Sequence, residues 1–184
     1  SALSTHKVAS VALGIGATLR YSKSKPINNK FAFHILLSGL PGVLLGTFIV
    51  LKLPESILYS LLSFLILSIS IFSYISKNND YLVNDDFKSN QSRNHYIIGH
   101  FVLFLIGLVN GSLTSGTGLI VTIWLVKWFR LDYLTAVTYT LILVGLFWNG
   151  LGALSLGYQG QIDLTLLPSL LLGSFIGGYI GADL

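Results

Sequence analysis

The sequence predicts an all-α integral membrane protein: a polytopic helical bundle built from two pseudo-symmetric, inverted repeats with one broken or re-entrant helix. Three observations carry that expectation. Of 184 residues, 53% are hydrophobic and only 10% charged, with a mean hydropathy of +0.75, whereas a soluble domain carries about a quarter charged residues. The apolar stretches reach the ~20 residues that a helical span needs, and they do not alternate as the strands of a membrane barrel do. One of them is interrupted at its centre by residues 107–122, which read GLVNGSLTSGTGLIVT.

The elements follow in order. Apolar segments cover about 1–20, 31–51 and 56–76; a polar loop occupies 77–95; further apolar segments cover 97–129, 134–156 and 166–184. The loop after the first segment holds Arg20, Lys23, Lys25 and Lys30 and no acid, so it belongs on the cytoplasmic side. The short loop with Lys52 and Glu55 then lies outside, and the loop 77–95, with Lys77, Lys88 and Arg93, lies inside. Segment 97–129 is too long for a simple span. A single crossing would put Lys127 and Arg130 outside and the acidic loop 157–165 inside, against the positive-inside rule. A segment that dips in and returns, or makes two short passes, removes the conflict.

The repeat is legible in two stretches. Residues 36–47 read LLSGLPGVLLGT and residues 171–182 read LLGSFIGGYIGA. At an offset of 135, Ser38, Gly42 and Gly46 fall on Gly173, Gly177 and Gly181, and Ile27 falls on Ile162. With one adjoining loop inside and its counterpart outside, the copies are inverted, as in many secondary transporters. The plainer reading is that small residues four apart recur in any close-packed membrane helix. The repeat divides the chain into 1–76, the remainder of a first transmembrane unit; 77–95, a polar linker; and 96–184, a second unit incomplete at its C-terminus. The chain has no methionine and both ends fall inside apolar segments, which reads as a piece of a longer protein.

Gly107 and Gly111 are explained by close helix packing. The succession Ser112, Thr114, Ser115, Gly116, Thr117, Gly118 is not. A helix broken at membrane depth exposes main-chain groups that need protein or a cavity to satisfy them. A helix restarting near Thr117–Gly118 aims its positive dipole end into the break, and such an end attracts anions. The hydroxyls of Thr114, Ser115 and Thr117 add donors, and Gly116 and Gly118 allow close approach. In the first segment, Lys7 lies well inside a span, where an ammonium costs about 2.5–3.5 kcal/mol or more and normally faces a cavity. Snorkelling to an interface is the alternative. His6 beside it suits proton relay. Thr138 and Thr140 open the segment 134–156, where threonine also bonds its own helix. Asn149 lies inside that segment and needs a partner, a helix or a substrate. His34 and His100 read as packed or interfacial.

Other chemistries are excluded or unsupported. Without cysteine there is no thiolate metal site or disulfide. Every acid lies in a loop or at a segment end, so no cation site is built within the membrane. No phosphate-binding loop, zinc-protease helix or serine elbow is present, so no enzyme activity and no cofactor is expected. The net charge of +4 bears on loop orientation rather than nucleic acid.

The stretch 107–122 resembles the GxxxGxxGxGGGxxxxP signature of the sulfite exporter (TauE/SafE) family. Gly107, Gly111, Gly116 and Gly118 match; Thr114 and Thr117 replace two glycines, and Ile123 or Thr122 stands where proline is usual. Ala136-Val137-Thr138 resembles the A-V/T-x-T-S stretch that follows. Thr5-His6-Lys7 resembles a T-N-K in the corresponding helix of the first half, and Tyr158 to Gly181 resembles the closing Y-x-x-G-x-I/V-D…G-A-x-x-G-A pattern. The resemblance covers nearly the whole chain except 77–95. It implies a multi-pass transporter of the cell (inner or plasma) membrane that exports or moves sulfite, sulfonates or related anions coupled to an ion; the coupling ion expected here is a proton. The expected substrate-binding set is Thr5, His6, Lys7, Thr114, Ser115, Gly116, Thr117, Gly118, Thr138 and Asn149, working by alternating access. The rival expectations are an anion channel and a non-transporting membrane assembly partner.

Overall fold

The computed structural model describes residues 2–21, 27–76, 93–113, 116–160, 162 and 164–181. The described residues form helices and no strand. The helices are α1 (Ala2–Tyr21), α2 (Asn29–Val50), α3 (Glu55–Ser76), α4 (Arg93–Ser112), α5 (Thr117–Lys127), α6 (Tyr133–Thr140), a π-helical stretch (Leu141–Trp148), α7 (Asn149–Gly157) and α8 (Leu167–Gly181). The last three before α8 run on without a break. Three described helices are long and apolar enough to cross a membrane: Asn29–Val50, Arg93–Ser112 and Tyr133–Gly157. At 20 residues α1 has the length, but it carries His6, Lys7 and Arg20 and is less apolar. The polar linker expected at 77–95 lies outside the described residues up to 92, and α4 already begins at Arg93.

Local sequence sets the helix starts. The Asn28 side chain accepts hydrogen bonds from Lys30 N (3.1 Å) and Phe31 N (3.3 Å), and that of Asp132 accepts one from Thr135 N (2.9 Å). Both are N-caps, which satisfy main-chain donors that the first turn leaves over. Gly116 sits in the left-handed region at φ 74°, the conformation glycine adopts without cost, and there the chain reverses.

Two helix pairings are the most extensive, α2 with α4 and α1 with α8. Along the first, Gly39 lies on Gly107, Gly42 on Phe104 and Leu108, and Gly46 on Leu108 and Gly111. The register rises along both helices together, so they run parallel. A methyl group at any of these α2 glycines would land on the α4 main chain or, at Gly39, on the ring of Trp148. In the second pairing Gly16 abuts Phe175 and Tyr179, and Gly178 abuts Leu13. The α8 glycines that match Ser38, Gly42 and Gly46 in the expected repeat behave otherwise. A methyl group at Gly173, Gly177 or Gly181 meets no described atom within 4 Å.

The interrupted segment folds as a hairpin. Trp124 Nε1 donates to Gly99 O (3.3 Å), Trp128 Nε1 donates to His95 O (3.1 Å), and Asn110 pairs with Thr117. The partners fall in number along α4 as they rise along α5, so α5 runs back antiparallel to α4. Leu65 and Ile69 of α3 cover Gly116 at the tip. The opposite end is aromatic: His95 stacks on Trp128 (4.4 Å), Trp124 on Trp128 (4.8 Å), and Phe31 meets Phe129 and Tyr139 edge-on. Phe31, Ile35, Leu103, Val121, Leu125, Phe129, Tyr139 and Trp148 lie in the buried core between α2, α4, α5 and α6–α7. The outer faces are apolar too, with Phe33, Phe48, Phe64, Phe101 and Leu172 all more than half exposed. In water such a surface would aggregate; against lipid chains it is in place.

Candidate functional site

The site is built around one buried lysine. Lys7 has no exposed surface, and its Nζ donates to the main-chain oxygen of Asn110 at 2.6 Å. That carbonyl belongs to the last turn of α4, where helix carbonyls run out of internal partners. The lysine therefore brings a cation to the negative end of the helix dipole. It makes no ion pair among the described residues, and its side chain lies along Gly152 of α7.

Asn110 organises the rest. Its Nδ2 donates to Thr117 Oγ1 (2.8 Å) and to Asn149 Oδ1 (3.2 Å). Lys7, Asn110, Thr117 and Asn149 are all buried, and they come from α1, α4, α5 and α7. Thr117 is the first residue of α5, and the preceding Gly116 provides no side-chain cap for that helix. The carbonyl end of α4 and the amide end of α5 thus meet through the Asn110–Thr117 bond, with the lysine on the α4 end. Such a junction holds opposite partial charges a few ångströms apart. It suits an anion at the α5 end while the lysine offsets the α4 end.

Of the expected substrate set, the structure brings Lys7, Thr117 and Asn149 together. Thr5 is buried two residues before the lysine. His6 is exposed on another face of α1 and lines, with Thr5, Ser10, Leu170 and Ser174, a cavity of about 310 Å³ between α1 and α8. Gly116 and Gly118 flank Thr117 at the break. Thr138 is buried but donates to Leu134 O (2.8 Å) in its own helix. Thr140 instead receives a hydrogen bond from Thr122 (2.9 Å). Thr114 and Ser115 lie outside the described residues. Sequence reasoning did not place Asn110 in the site. Its signal was present, a lone amide inside an apolar run just ahead of the glycine-rich break. Gly152 carried no signal.

Helices of membrane-spanning length and composition surround a buried polar junction at a helix break, the pattern of a helical integral membrane protein. The family model described as "Sulfite exporter TauE/SafE" matches residues 1–184, and the chain belongs to that family. Comparison with curated proteins and with solved structures gave no match.

Proposed function

We propose that this protein carries a small anion of the sulfite or sulfonate kind across the cell membrane by alternating access. The anion sits at the α4–α5 break beside Lys7. The observation that carries this reading is the buried lysine at the meeting of two helix ends, unpaired with any carboxylate among the described residues. Half-helix amide ends are the common device for holding anionic groups at membrane depth, and an intramembrane lysine is costly unless it works. Thr117 and the first amides of α5 would hold the oxyanion, and Asn110 and Asn149 would fix their geometry.

The hairpin direction supports a re-entrant α4–α5 unit, because it returns Lys127 and Arg130 to the side where α4 starts. That is the side the loop charges favour. Protons are the coupling ion of this reading, and two inverted repeats rocking around the break supply the conformational change. The test is labelled sulfite uptake by vesicles containing the full-length protein. Saturable uptake driven by a proton gradient is expected, with weaker apparent affinity in Thr117→Val. Non-saturating flux would favour a channel. Absence of any sulfite movement would remove sulfite and leave a packing role for the break.

A further inference from the structure

We infer that Gly152 is a positioning residue for the proposed anion site, acting through Lys7. This rests on the reading of the break as the substrate site. A Cβ built at Gly152 would stand 2.9 Å from Lys7 Cδ and 3.1 Å from both Cε and Nζ. All three atoms belong to the far end of the side chain; the first distance is closer than real Cβ contacts come, and the other two are tighter than nearly all of them. The neighbour would have to move, and the neighbour is the ammonium-bearing end that now sits on the Asn110 carbonyl.

The contrast with the other tight glycines isolates the effect. At Gly42, Gly46, Gly107 and Gly111 an added methyl meets main chain of the facing helix, so the helices themselves must separate. At Gly152 the nearest atoms are all lysine side chain, so the bundle can stay closed while the ammonium shifts. The helical register adds to this. Asn149, one turn earlier on the same face of α7, accepts from Asn110 Nδ2. One face of α7 therefore does two things: it anchors the Asn110 side chain and leaves a slot in which Lys7 can extend to the Asn110 carbonyl. A lysine loses rotamer freedom when it is held in one place, and a slot without a side chain leaves room for the conformation that reaches the Asn110 carbonyl.

The experiment uses full-length protein in two readouts, sulfite uptake in proteoliposomes and thermal stability in detergent. Gly152→Ala should raise KM for sulfite about tenfold, the scale expected when a preorganised group is misplaced by a fraction of an ångström. Vmax should change far less. Stability is measured as a cycle with Lys7→Ala. Gly152→Ala should lower Tm beside Lys7 and leave it unchanged or raise it in the Lys7→Ala background, where the slot is empty and alanine is the better helix former. An unchanged KM in an active transporter, or an equal Tm loss in both backgrounds, overturns the inference. If wild-type protein moves no sulfite, the transport reading fails by itself, and the stability cycle still decides whether Gly152 sets the position of Lys7.

Discussion

The helices α2 and α8 carry the same small-residue spacing and use it differently. In α2, Gly42 and Gly46 are buried against the α4 main chain; in α8, Gly177 and Gly181 face open space among the described residues. Small residues four apart let a helix approach its neighbour closely. Whether the approach happens depends on the neighbour. Between membrane helices the gain comes from van der Waals contact and hydrogen bonds rather than from expelling water, so a glycine face without a partner contributes little. The second pairing of the bundle uses another side of α8, where Gly178 meets Leu13.

Substitutions can break or sharpen this contrast. The largest effect is expected at Gly42, where Ala would force the α2 and α4 main chains apart. Overpacking of this kind costs about 1–3 kcal/mol, and a clearly lowered melting temperature in detergent would register it. A melting temperature equal to wild type would mean that the α2–α4 seam is loose. Next comes Asn149→Leu, which removes the acceptor of Asn110 Nδ2 while leaving the Thr117 bond. Polar contacts between membrane helices average about 0.6 kcal/mol, up to about 1.7. The stability loss should therefore be modest, while sulfite affinity falls more because the break loses its lateral anchor. The smallest loss is expected at Gly177→Ala, where the space is open and alanine, the better helix former, leaves stability equal to wild type or up to about 1 kcal/mol higher. A loss there matching Gly42→Ala would erase the distinction between the two faces.

Much of the bundle was legible in the sequence because lipid demands long apolar helices and leaves few alternatives. The interruption of 97–129 was legible because glycine and hydroxyl residues cannot continue a helix cheaply, and the structure breaks it between Ser112 and Thr117. That Lys7 lies at a cost inside a span was also legible, with a cavity or an interface as its expected place. Its partner was not, since it is a main-chain carbonyl, and every residue has one. Only the end of α4 brings that carbonyl to the lysine. The two threonines of α6 show the same limit. Thr138 turns back to its own helix and Thr140 reaches Thr122. The sequence offers both as equals, and their different faces on the helix decide between them. Gly152 was invisible for a related reason: its role is the absence of a side chain where another helix places a lysine.

In the transport reading proposed above, the buried lysine at the α4–α5 break serves an anion. The most direct test is labelled sulfite flux through full-length protein with Lys7→Leu beside wild type, at matched insertion. Saturable flux is expected in wild type, and its loss in the variant. Equal flux in the two would contradict that reading and leave Lys7 as no more than a cap on the end of α4.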